Sequence, residues 1–137
     1  MNALGDLVRL RAMEPSDAEA LWRWNHDPEV MRWMDAGYAQ SLAQVQKWLT
    51  DRPRNDYGDV LFGIGFATDA VRTACRYGFH HMRLHKITLT VVTENEAAHH
   101  IYQKVGFVDE GRLRQAFRRE DGWLDKFTMG LLADELR

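Results

Sequence analysis

Residues Val60 to Met82 constrain the fold more than any other stretch. An apolar run of strand length, Val60-Leu61-Phe62-Gly63-Ile64, passes through Gly63 and Gly65 into a segment whose apolar residues Ala67, Ala70, Val71, Ala74, Cys75, Phe79 and Met82 recur three and four positions apart. The pattern predicts strand, tight turn and helix. A helix that starts on glycine leaves its first backbone N–H groups unpaired and unobstructed, and with the positive end of the helix dipole they form a site for an anion such as phosphate. Gly65 lets a ligand approach the backbone closely, and Ala67 adds only a methyl group. Glycines at such a turn also serve purely steric ends, so at this point Gly63 and Gly65 fit a structural and a phosphate-binding role equally.

The segment after this helix, Lys86-Ile87-Thr88-Leu89-Thr90-Val91-Val92, is β-branched and reads as a strand buried on both faces. A right-handed crossover would make Val60–Ile64 its parallel neighbour, with the glycine turn at the carboxyl end of the first strand, where open α/β sheets bind ligands. Next comes a second helix. Asn95 suits its start, Gly106 suits the left-handed position past its end, and Phe107 suits the apolar contact that closes such an end. Asn95 and Tyr102 lie two turns apart on one face, where a tyrosine can be packing or chemistry. The tail reads as a hairpin, Glu110–Arg119 and Trp123–Leu132, turning at Glu120-Asp121-Gly122. Arg112, Arg114 and Arg118 are expected on one face of its first strand, toward solvent or toward an anionic ligand.

Ahead of the central unit, Leu7-Val8-Arg9-Leu10-Arg11 alternates as a half-exposed strand. Glu14-Pro15-Ser16-Asp17-Ala18-Glu19 opens a helix, with Ser16 and Glu19 spaced as a capping box. Asp27-Pro28 starts another helix, and Ser41 with Gln44 a third. Four of the five tryptophans fall in this N-terminal part, either packing the core edge or, as Trp24 and Trp33 with Met31 and Tyr38, walling a substrate groove.

The 137 residues are expected to form a single domain over 1–137, of α/β class, a mixed sheet flanked by helices. A net charge of −2 and a pI near 6.3 argue against nucleic acid or an anionic membrane as partner. The N-terminus shows no basic segment followed by an apolar run and no stretch reaches spanning length, so a cytoplasmic location is expected. Cys75, the single cysteine, sits on the apolar helix face as a structural thiol. His81/His85 and His99/His100 lack convincing ligand spacing, so no metal is expected and they are read as surface histidines.

The glycine turn, the β-branched strand, Asn95 to Tyr102 in the frame N-x-x-A-x-x-x-Y-x-x-x-G-F and the hairpin with its Gly-Arg-Leu-Arg resemble the GNAT superfamily of acetyl-CoA-dependent N-acetyltransferases. The resemblance is to the branch of ribosomal-protein and spermidine acetyltransferases, whose N-termini read much like Val8–Ala12 through Trp22 and Asn25–Val30. It implies that Gly63, Ile64, Gly65, Phe66, Ala67 and Thr68 hold the cofactor pyrophosphate, that Asn95 orients the pantetheine arm and that Tyr102 is the general acid for the departing thiolate. The implied acceptor is a primary amine, such as a protein N-terminus, a polyamine or another small amine. A phenol with ordinary pKa near 10 can return a proton to a thiolate of pKa near 8.5 without being ionised at neutral pH.

Two departures from the family pattern stand out. Phe62 occupies a place that is Gln or Arg in the family, and the two strands that the family places between Ile64 and Gly65 are missing. The second of those carries the general base in many members. The resemblance therefore implies a shortened GNAT-like sheet, and the alternative to an enzyme is a catalytically impaired CoA-binding module. A sheet shortened beside Leu7–Arg11 also exposes an edge, which favours a homodimer. A dinucleotide-binding half-domain is disfavoured by Thr68, which stands where a third glycine is needed.

Overall fold

A computed structural model of the chain describes residues 2–33, 40–51 and 67–137. It divides into two compact units, one of Met1–Arg11 with Phe62–Arg137 and one of Ala12–Leu61.

In the first unit two short strands, β1 (Asn2–Leu4) and β2 (Arg9–Arg11), pair antiparallel. Leu10 is buried between exposed Arg9 and Arg11. The strand expected over Leu7–Arg11 is thus shorter, and its partner β1 was not anticipated. Helix α4 (Ala67–His80) leads to β3 (Lys86–Val92), α5 (Glu96–Val105), β4 (Val108–Arg119) and β5 (Gly122–Leu132). The three strands form an antiparallel sheet ordered β3-β5-β4. The expectation that β3 is buried on both faces is corrected, because Lys86, Thr88 and Thr90 are exposed and only Val91 and Val92 are fully buried. Its described partner, β5, lies antiparallel with Ile87 opposite Leu131 and Val91 opposite Phe127. The pairing expected with Val60–Ile64 lies outside the described residues.

One face of this sheet is closed by α4 and α5 around Cys75, Val91, Val105, Phe107, Met129 and Leu131. Full burial of a Met or Leu side chain contributes about 1.5–3 kcal/mol, so Met129 and Leu131, both at 0% exposure, anchor the unit. Cys75 is buried as expected, and burial pushes its thiol up to about 11, which leaves it an inert packing group.

The second unit packs α1 (Ala18–Trp24) against α3 (Leu42–Asp51) through Ala18, Leu21, Val45 and Leu49, with Met13, Trp22 and Leu42 at the margin. The first cap is displaced from its expected place. Glu14 and Asp17 form the box, with the Glu14 N–H donating to Asp17 at 2.8 Å, while Glu19 pairs instead with Arg23. A 3-10 turn at Pro15–Asp17 sets this phase, because proline occupies the first position of that turn rather than of α1. The other two caps are as expected. Asp27 accepts from Glu29 N at 2.9 Å before α2 (Pro28–Met31), and Ser41 and Gln44 cap each other's backbone at 3.3 and 2.7 Å. Trp22 packs at the core margin, but Trp24 and Trp48 are 41% and 42% exposed, so core-edge packing does not account for them. Tyr38 of the supposed groove lies outside the described residues.

Candidate active site

The helix-end site expected from the glycine turn falls at the start of α4. Gly63, Ile64, Gly65 and Phe66 lie outside the described residues, and Ala67 and Thr68 are the first two residues of the helix. A negative side chain, Asp69, follows in the same turn and would repel a bound anion if left free. It is not left free. Its carboxylate is buried and accepts backbone N–H groups from Leu7 at 2.8 Å, Val8 at 3.0 Å and Asp6 at 3.2 Å. The Leu7 N–H, followed by those of Asp6 and Val8 and by the Arg72 charge, holds the Asp69 carboxyl below its ordinary value, against the opposing effect of burial. The β1–β2 turn thus absorbs this charge, leaving the first turn of α4 compatible with a pyrophosphate.

Asn95 caps α5 through its side-chain oxygen, which accepts the N–H of Ala98 at 3.2 Å. That use of Oδ1 leaves Nδ2 as the group able to meet a pantetheine amide. At the other end Gly106 adopts φ +117°. The Phe107 N–H bonds the Tyr102 carbonyl at 3.0 Å and the Gly106 N–H bonds that of Gln103 at 3.1 Å, a Schellman closure. The matching apolar contact is Tyr102 edge-on to Phe107, with ring centroids 5.8 Å apart. Tyr102 therefore packs and remains available for chemistry, since it is only partly buried. Desolvation raises its pKa above the ordinary 10.0, so it stays a protonated phenol throughout the neutral range.

Between these two residues on the same stripe sits His99, read from the sequence as a surface residue. It is partly buried instead. Its Nε2 lies 2.8 Å from Asp109 Oδ1 on β4, and its ring stacks on Phe127 of β5 at 4.9 Å. The spacing Asn95, His99, Tyr102 was legible as one helix face, and the reversal at Gly106 could have placed Asp109 beneath it. His81 and His100 are exposed, His81 stacking on Tyr77. No metal-binding group of three His, Cys, Asp or Glu residues occurs among the described residues.

The expected arginine face meets solvent, with Arg112, Arg114 and Arg118 all exposed. Arg112 is ion-paired with Asp125 at 2.6 Å and lies over Phe127, and Arg114 falls where the β4–β5 register shifts, between Leu113 and Phe117. Asp125 is held below its ordinary value chiefly by the backbone N–H of Gln115 and then by Arg112.

A model of the acetyltransferase (GNAT) domain matches the chain in two overlapping segments, residues 8–64 and 57–108. Spermidine N(1)-acetyltransferase of Escherichia coli K12 is 49% identical over 55 residues, 40% of this chain and 30% of the relative. That match spans about a third of the length of the curated spermidine acetyltransferases. An uncharacterised N-acetyltransferase of Bacillus licheniformis, p20, is 26% identical over 167 residues, covering 93% of this chain and 94% of its own. This alignment is longer than the 137-residue chain, so the relative carries internal residues that this chain lacks. In fold, the chain is similar to spermidine N-acetyltransferase from Vibrio cholerae in complex with CoA and spermine. The TM-score is 0.80, with 24% identity, 92% of this chain and 95% of that one covered. It is also similar to a GNAT-family acetyltransferase from Bacillus anthracis, with TM-score 0.77, 19% identity and 98% and 100% covered.

Proposed function

The chain belongs to the GNAT acetyltransferase family, and from that premise we propose that it transfers the acetyl group of acetyl-CoA to a primary amine, with polyamines the first class to try. The observation that carries the reading is the α5 face, on which Asn95 and a desolvated, protonated Tyr102 stand two turns apart beside the start of the sheet. The first turn of α4, with Ala67, Thr68 and the preceding Gly63 to Phe66, would hold the pyrophosphate. Asn95 Nδ2 would orient the pantetheine. Attack of the amine nitrogen on the thioester carbonyl breaks the C–S bond, and Tyr102 gives its proton to the leaving thiolate. The reading includes a cytoplasmic location, a homodimer and no nucleic-acid partner. Among the described residues no helix is long and apolar enough to cross a membrane.

A second reading, a CoA-binding module without turnover, is favoured by the internal residues that the chain lacks relative to p20. Calorimetry with acetyl-CoA and turnover on a panel of amines including spermidine separate the two. Binding with turnover is expected, and Tyr102→Phe should lower kcat by roughly 10²–10⁴-fold while leaving acetyl-CoA affinity nearly unchanged. Binding without turnover on any amine leaves the module reading. Absence of binding removes both.

A further inference from the structure

We propose that His99, oriented by Asp109, is the proton acceptor of this site, a role that rests on the acetyl-transfer reading above. Acetyl transfer to an amine needs a group that takes the amine proton, and the residues given roles so far do not supply one. Tyr102 cannot serve, because it is needed in its protonated form.

The geometry singles out His99. It is one turn before Tyr102 and one turn after Asn95, so the three side chains line one face of α5. The chain reverses at Gly106, and α5 lies back over the start of β4, with Tyr102 meeting Phe107 and His99 meeting Asp109. An ionised carboxylate only accepts hydrogen bonds, so the 2.8 Å contact from Nε2 to Asp109 Oδ1 places the proton on Nε2 and leaves the lone pair on Nδ1. The ring is held in plane by Phe127, at 4.9 Å and 23°, with the Arg112 guanidinium also against Phe127, 6.0 Å from its centroid. A base fixed by a carboxylate on one nitrogen and free on the other is the arrangement that activates nucleophiles on unrelated folds.

Nearby carboxylates are committed elsewhere. Asp125 accepts from Arg112 and from the Gln115 backbone, and Glu94 pairs with Arg119 at 3.0 Å. The His99 side chain keeps 21% of its surface exposed, enough to pass a proton to water after each cycle. The balance is then complete. The amine nitrogen forms the C–N bond and loses one proton to His99 Nδ1, the C–S bond breaks, Tyr102 protonates the thiolate, and both side chains re-equilibrate through solvent.

The test compares the native chain, His99→Ala, His99→Gln and Asp109→Asn, with acetyl-CoA and the amine that the native protein turns over. His99→Ala should lower kcat by roughly 10²–10⁴-fold with the calorimetric affinity for acetyl-CoA unchanged. The acidic limb of the native kcat/KM profile should disappear, and added imidazole should restore part of the rate. His99→Gln, which keeps the size of the ring site, should be equally slow but not rescued, and Asp109→Asn should show a smaller loss with the acidic limb displaced. A structural clamp would lower melting temperature in all three without imidazole rescue, and that result overturns the proposal. Native turnover with His99→Gln at full rate overturns it while sparing the acetyltransferase reading. A native protein without turnover on any amine overturns both.

Discussion

At the scale of single residues, Gly106 illustrates a constraint that two separate features impose. Its φ of +117° is costly for an L side chain, and a Cβ there would overlap the backbone carbonyl of Glu135. The tail crosses that position because the Arg137 N–H bonds the Val105 carbonyl at 2.9 Å. Gly122 has φ +145° but open space around the added atom. Gly106→Ala is therefore expected to cost about 2 kcal/mol or more, a fall in melting temperature of roughly 5–10 °C, and Gly122→Ala about half of that. Equal thermal shifts for the two variants would show that the tail yields and that only backbone strain matters.

At the scale of elements, the Asp69 carboxylate ties the turn of the N-terminal hairpin to α4. Gly5 approaches Asp69 and Thr73 so closely that a side chain at Gly5 would overlap both, and the N–H groups of Asp6, Leu7 and Val8, which follow it in the turn, converge on Asp69. A depressed carboxyl pKa has a definite sign: the stabilisation is complete above the ordinary value of 3.8 and is lost as pH falls through the lower folded value. Native stability should therefore drop below about pH 4 by an amount that Asp69→Asn does not show, the two converging in strong acid. Thermal melts from neutral to acid pH measure this, and hydrogen exchange at Leu7 and Val8 should accelerate in the variant. Parallel pH curves for the two proteins would mean that Asp69 does not hold the hairpin.

At the scale of the whole molecule, the described residues form one sheet of two strands and one of three. In the proposed homodimer a second chain covers a sheet edge. Sedimentation at micromolar concentration should show a dimer, and a monomer there removes the proposal. The three-stranded sheet with α4 and α5 has its own buried core, and the α1–α3 pair has another.

What the sequence determined by itself was local. The Asn95 cap, the Gly106 end, the turn at Gly122, the Asp27 cap and the Ser41/Gln44 box were legible because each depends on groups within a few residues of one another, where chain geometry leaves few alternatives. The family frame N-x-x-A-x-x-x-Y-x-x-x-G-F was legible for the same reason. Tertiary structure decided the rest. Asp69 reads in sequence as an ordinary first-turn acid, and only folding brings it to backbone groups more than sixty positions away. His99 reads as one of two adjacent histidines, and only the return of the chain at Gly106 sets it on Asp109 and Phe127. A three-residue strand such as β1 carries too few alternating positions to announce itself, so its pairing with β2 emerges from burial of Leu10 and the anchoring of the turn between them.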